Sequence, residues 1–306
     1  MILRTPEQRF AALPDFPYSP HYLTLPHAEG ELRMAYIDEG PRDAPVVLML
    51  HGEPSWSFAY RHVIAAVAAA GYRAVAPDHI GFGRSDKLPH RSDYSYAAFV
   101  AWMTAFVDQL DLKNIVLVCQ DWGGPIGLST LAARHERFSG VVAANTLLPN
   151  CELPPAGIAD WPGEIVTAWV GMTAEADDLP VADIVDSVSV KTLAAEVKAA
   201  YDAPFPDASY KAAVLEFPSL IPTRENMAGC AENRQVWQLL ETWDKPFVTA
   251  FSDSDPSTAP WAEVFRKRIP GADNDLHTTL RGAGHFVQEE LGAELAEIVL
   301  KLRAIC

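Results

Sequence analysis

Val116-Leu-Val-Cys-Gln-Asp-Trp-Gly-Gly124 is the stretch that decides how this chain reads. Its first residues form a buried-strand pattern that runs straight into a carboxylate and two glycines. That order describes a nucleophile elbow, a sharp strand-to-helix turn that lifts one side chain to the top of a sheet. Serine is the usual occupant, but here it is Asp121. A carboxylate is already a nucleophile at neutral pH, whereas serine must first lose a proton. An aspartate so placed suits attack on a saturated carbon carrying a good leaving group, with an aspartyl ester as the product. The competing reading is an aspartate capping the following helix; the strand before it and the glycines after it favour the elbow. Cys119 stands where a glycine is usual, and it is small enough for the turn to survive.

Working outward, apolar runs alternate with amphipathic segments, the pattern of a mostly parallel sheet covered by helices. The runs predict strands at Val46–Leu50, Arg73–Ala76, Ile115–Cys119, Val141–Asn145, Phe247–Phe251 and His277–Leu280. Helices are predicted around Phe58–Ala70, Tyr96–Leu110, Gly124–Arg134, Ala262–Arg268 and Leu291–Arg303. Glu31–Glu39 alternates apolar and polar residues, as an antiparallel strand should. The rhythm breaks after Leu148. Residues 150–221 are proline-rich and helical in flavour, and the sheet pattern resumes near Lys245. This divides the chain into a core of residues 1–149 and 222–306 with a helical cap, residues 150–221, inserted between two strands.

The 306 residues can bury a large core. With 40 acidic against 24 basic residues the formal charge is -16, which makes nucleic acid an unsuitable partner. The N-terminus lacks an apolar signal core, and no apolar run approaches membrane-spanning length. Cys119, Cys151, Cys230 and Cys306 are scattered without the paired spacing of zinc or redox sites. A soluble, cytoplasmic, monomeric chain with reduced thiols is expected. Gly81-Phe-Gly83 lacks the third glycine of a dinucleotide loop and reads as a turn. No phosphate loop or metal-ligand cluster is present, so no metal and no cofactor beyond water is required.

Four motifs fall at the carboxyl ends of predicted strands, where open α/β sheets place their ligands. They are His51-Gly-Glu-Pro54, the elbow at Asp121, Phe251-Ser-Asp-Ser-Asp255 and Gly282-Ala-Gly-His285. Their order is nucleophile, acid, histidine. Together with Arg4-Thr-Pro-Glu-Gln-Arg-Phe10, Ala203-Pro-Phe-Pro-Asp207 and Gly284-His-Phe-Val-Gln-Glu289 they resemble the haloalkane dehalogenases of the α/β-hydrolase superfamily, over essentially the whole chain. The branch it resembles carries the triad acid after the strand preceding the histidine strand, and the alternative location near Val141–Pro149 offers Asn145 but no carboxylate.

The resemblance implies an α/β-hydrolase fold and hydrolysis of small haloalkanes to alcohol, halide and a proton. Asp121 would displace the halide and form the ester, and His285 would activate water to cleave it. Asp255 would hold the imidazole, with Asp253 as its rival. Trp122 and, in the predicted cap, Trp169 would grip the halide, with Trp161 competing for the second place. Backbone donors of Trp122 and Glu53 would face the ester oxygen, and the Glu53 side chain would help hold water. His51 is expected to be structural. Phe217, Pro218 and Ile221 would line the substrate pocket, while Pro125 and Val166 stand where some relatives carry aromatic rings. An epoxide hydrolase is the nearest alternative, using Tyr201 and Tyr210 as ring-oxygen acids. A non-catalytic ligand-binding protein of the same fold is the third reading.

Overall fold

The computed structural model describes residues 2–27, 30–152 and 162–306. Eight strands form a single sheet: β1 (His21–His27), β2 (Gly30–Glu39), β3 (Val46–Leu50), β4 (Arg73–Pro77), β5 (Ile115–Asp121), β6 (Phe138–Thr146), β7 (Phe247–Ser252) and β8 (Thr278–Leu280). The helices are α1 (Arg61–Ala69), α2 (Tyr96–Gln109), α3 (Gly123–Ala133), α4 (Gly163–Glu175), α5 (Val181–Ser187), α6 (Ala195–Asp202), α7 (Ala212–Glu216), α8 (Cys230–Leu240), α9 (Ala259–Arg268), α10 (Val287–Glu290) and α11 (Gly292–Arg303).

The sheet order is β1-β2-β4-β3-β5-β6-β7-β8. β1 and β2 pair antiparallel, as do β2 and β4, and every later pairing is parallel. β3 and β4 are buried at every residue, as is β5 up to Gln120. That explains their unbroken apolar runs, because parallel strands are covered on both faces. The covering helices form groups: α1 packs on α11, while α3 packs on α2 and α8. The chain reverses its direction of travel across the sheet at β3, so the loops after β3 and β5 flank the crevice where α/β sheets hold ligands.

Six of the strands lie where the apolar runs predict them. β1 escapes that reading because only Leu25 on it is buried, which leaves little alternation to detect. α8 escapes it because Cys230 and Asn233 occupy two of its buried positions. The Asn233 amide is satisfied there by the Pro149 carbonyl (2.6 Å) and the Tyr96 hydroxyl (2.5 Å). Among the described residues the long segment between β6 and β7 contains helices and no strand. Two sequence motifs far apart in the chain meet on it: Thr5 donates to the Pro204 carbonyl (2.6 Å) and Arg9 to that of Ala203 (2.7 Å).

The cysteines correct an expectation. Cys151 and Cys230 form a disulfide, with Cα atoms 5.5 Å apart, and only Cys119 and Cys306 are free thiols. The two partners are 79 residues apart in sequence but adjacent in space, because the segment that leaves after β6 returns beside its own starting point. Spacing along the chain carries no trace of that return. Among the described residues no helix is long and apolar enough to cross a membrane.

Candidate active site

Asp121 ends β5 with φ +50°, a left-handed conformation that a non-glycine residue adopts only when its surroundings enforce it. Two contacts do so. The Thr146 hydroxyl donates to the Asp121 carbonyl (2.6 Å), and the Glu53 backbone N–H donates to Oδ1 (2.8 Å). Gly52 allows the second contact, since a Cβ there would collide with the Asp121 carboxylate. His51 sets the same loop from behind. Its Nε2 accepts the His79 backbone N–H (3.0 Å), so Nδ1 carries the proton and donates to the Gly52 carbonyl (2.9 Å). Burial lowers His51 to about 4, so it stays neutral.

The other carboxylate oxygen of Asp121, Oδ2, lies 3.4 Å from His285 Nε2. On the far side of the ring, His285 Nδ1 faces Asp255 Oδ2 at 2.9 Å. Asp255 is buried and also accepts from the Ser257 backbone (3.0 Å) and from the hydroxyls of Ser257 and Thr258. Burial pushes its pKa up, but the charge of His285 and these hydrogen bonds outweigh that and hold it well below the usual carboxylate range. Asp253 is exposed and accepts from the Gly282 backbone (2.8 Å), so geometry puts Asp255 rather than Asp253 on the histidine.

His285 feels opposing influences. Burial disfavours its charge, but Asp255 and the hydrogen bond to Asp121 prevail, raising it to about 10. That balance favours the protonated imidazole in the resting site. Glu53 is raised well above the ordinary glutamate value by burial and by the Asp121 charge. Both influences favour the neutral acid, and its buried Oε1 has no hydrogen-bond partner among the described residues.

These groups open onto a cavity of about 860 Å³, whose lining includes Glu53, Asp121, Trp122, Val166, Trp169, Ile221, Asp255 and His285. Trp56 and Trp237 spend their indole N–H groups on the carbonyls of Ala200 and Leu148. Those of Trp122 and Trp169 make no hydrogen bond among the described residues. Two donors without acceptors thus share one cavity with a carboxylate and an imidazole.

Comparison with known proteins follows the same line. The α/β hydrolase fold family matches residues 45–290. The chain is 47% identical over 301 residues to the haloalkane dehalogenase of Psychrobacter cryohalolentis, covering 98% of this chain and 97% of that one. It is 41% identical over 302 residues to the haloalkane dehalogenase of Mycolicibacterium paratuberculosis, with coverage of 98% and 97%. The chain belongs to the haloalkane dehalogenases. Among solved structures, haloalkane dehalogenase DpaA from Paraglaciecola agarilytica NO2, described as tetrameric, matches with TM-score 0.89 and 37% identity over 97% of each chain.

The rest of the dehalogenase site divides cleanly. Val166 and Ile221 line the main cavity, and Pro125 lines a small hollow beside Trp122 with Leu147, Pro149, Ile221 and Pro222. Phe217 and Pro218 correct an expectation, since both are buried and neither is among the cavity-lining residues. The Phe217 ring instead packs against Trp122 (centroids 4.8 Å), Phe99 (4.1 Å) and Phe82 (4.9 Å), bracing the tryptophan from behind. Trp161 lies outside the described residues. Tyr201 is fully buried and donates its hydroxyl to Glu289 Oε2 (2.6 Å), and neither it nor Tyr210 is among the lining residues. Sequence reading missed Ile184 and Val188 on the cavity wall, and also the contact by which the His285 backbone N–H donates to the Val188 carbonyl (2.9 Å). Nothing in the spacing of those residues marks them.

Proposed function

We propose that this dehalogenase converts haloalkanes to alcohol, halide and a proton through an ester on Asp121. The observation that carries the proposal is a strained carboxylate facing a capped cavity that also holds two unspent indole N–H groups and an imidazole. In the first step an Asp121 oxygen forms a bond to the carbon bearing the halogen. The carbon–halogen bond breaks, and the halide leaves with the electron pair. Trp122 and Trp169 donate to the departing anion, which would be costly to release bare into an apolar pocket.

Ester formation deletes the Asp121 charge, and with it one of the influences that keep His285 protonated. The imidazole then gives up its Nε2 proton to solvent, the one proton the reaction releases, and becomes a base, with Asp255 holding Nδ1. His285 Nε2 takes a proton from water while the water oxygen bonds to the Asp121 carboxyl carbon. The oxygen that becomes negative is stabilised by backbone donors of Glu53 and Trp122. Collapse breaks the bond to the alkoxide, which carries off the remaining water proton as alcohol, and the imidazolium left beside the regenerated Asp121 carboxylate is the resting site again. Glu53, in the neutral form that burial favours, can both donate to and accept from the attacking water. The helices of residues 150–221 serve as the lid that keeps bulk water from this sequence.

Replacing Asp121 with asparagine abolishes halide release, apart from slow deamidation back to aspartate. His285→Gln permits one burst of halide and then traps the ester, read as an added alkyl mass on the Asp121 peptide. Steady turnover by that variant overturns the two-step scheme. Epoxide opening finds no support, because the Tyr201 hydroxyl is committed to Glu289. Bromide release from 1-bromobutane beside diol formation from styrene oxide separates the two activities. A monomer is proposed, and light scattering during gel filtration tests it.

A further inference from the structure

The backbone carbonyl of His285 is held by two buried side-chain amides that come from the ends of neighbouring strands. Gln120, the residue immediately before the nucleophile, donates from Nε2 at 3.1 Å. Asn145, near the end of β6, donates from Nδ2 at 3.0 Å. The same Asn145 nitrogen reaches the Gly284 carbonyl (2.9 Å) and Ser252 Oγ (2.9 Å), while its Oδ1 accepts the Ser252 backbone N–H (2.8 Å). Asn145 has φ +38°, another left-handed non-glycine conformation beside the site. Gln120 is steadied in turn, because its Oε1 accepts from Gln288 Nε2 at 3.0 Å. All three amides are fully buried, so water cannot replace a lost partner.

None of the three lines the cavity, yet together they tie β5, β6, the end of β7 and the histidine segment into one bracket. The bracket joins the backbone of the base to the residue adjoining the nucleophile. The direct contact between the two functional groups is a long one at 3.4 Å, too weak to set their separation. We infer that Gln120, Asn145 and Gln288 are positioning residues that hold the His285 imidazole over Asp121, and that they govern cleavage of the ester rather than its formation. This rests on the proposed two-step reaction. Formation needs only the carboxylate and the halide donors. Cleavage needs the imidazole within hydrogen-bond reach of water beside the ester carbon, and a misplacement of about 1 Å in such a geometry costs about a hundredfold.

The test is rapid-quench kinetics with 1-bromobutane on the parent, on Asn145→Ala and on the double variant Gln120→Met with Gln288→Met. The double variant exchanges both hydrogen-bonding partners for apolar chains of similar length, an exchange that stability tolerates better than losing one partner. The expected result is first-turnover bromide release at close to the parent rate, steady turnover lower by about tenfold to a hundredfold, and a butyl adduct accumulating on the Asp121 peptide. Bromide release and turnover falling together, or turnover unchanged in both variants, overturns the inference. Failure of both variants to fold does so too, because it would assign the amides to stability alone. A parent that releases no bromide refutes the proposed reaction instead.

Discussion

Asp255→Asn removes the charge facing His285 while keeping the shape of the side chain. Asp255 Oδ2 lies 2.9 Å from His285 Nδ1. With charge centres about 4 Å apart, the pair is worth about 4 kcal/mol at an effective dielectric of about 20. At about 1.36 kcal/mol per factor of ten, that is roughly a thousandfold. The imidazole, held up to about 10 in the parent, should titrate about three pH units lower in the variant. Hydrolysis of the ester, in which imidazolium forms, should slow by about a thousandfold. Alkylation moves no proton, so first-turnover halide release should stay near the parent rate. Stability changes with a definite sign. Folding raises His285 above its ordinary 6.5, so its contribution is complete below that pH and is lost as pH climbs toward about 10. The variant should show a flatter stability profile across that window. Rapid-quench halide assays, mass analysis of the Asp121 peptide and urea unfolding across the pH range measure these three effects. Turnover within about tenfold of the parent, or halide release falling in step with turnover, refutes the reasoning.

Trp122→Phe and Trp169→Phe each remove one indole donor. A hydrogen bond to a charged group is worth about 1.5–3 kcal/mol, so bromide binding followed by tryptophan fluorescence should weaken about tenfold or more in each. Glu53→Gln should keep most of the turnover with an unshifted pH profile, because burial and the Asp121 charge favour the neutral form of the carboxyl it replaces; Glu53→Ala should slow ester cleavage, as steady-state and single-turnover rates will reveal. Opening the Cys151–Cys230 bridge, by reductant or by Cys151→Ser with Cys230→Ser, frees a loop spanning 79 residues. Chain entropy puts that loss at up to about 4.5 kcal/mol, seen as a lower urea midpoint in unfolding.

The elbow was legible because the local rules agree there: a buried apolar run, a nucleophile and small residues where the backbone must come close. The histidine was legible from its glycine-rich loop after a strand. Between Asp253 and Asp255, two residues apart after the same strand, the family resemblance favoured Asp255, and the 2.9 Å approach to His285 Nδ1 is what puts it on the histidine. Phe217 reads as a pocket residue only through the family resemblance, yet its ring packs against Trp122. Gln120 and Asn145 carry no signal beyond standing beside strand ends, and their amides acquire meaning only through the carbonyl they share.

Residue order alone determined the alternation of strands and helices, the carboxylate at the turn and the sequence of nucleophile, acid and base, because each depends on periodicity or on chemistry confined to a few neighbouring residues. Only the tertiary structure decided which acid meets the histidine, which tryptophans keep a free N–H, which cysteines join and how the charges tune one another. Those outcomes depend on distances and burial between segments separated by up to hundreds of residues, and folding sets them.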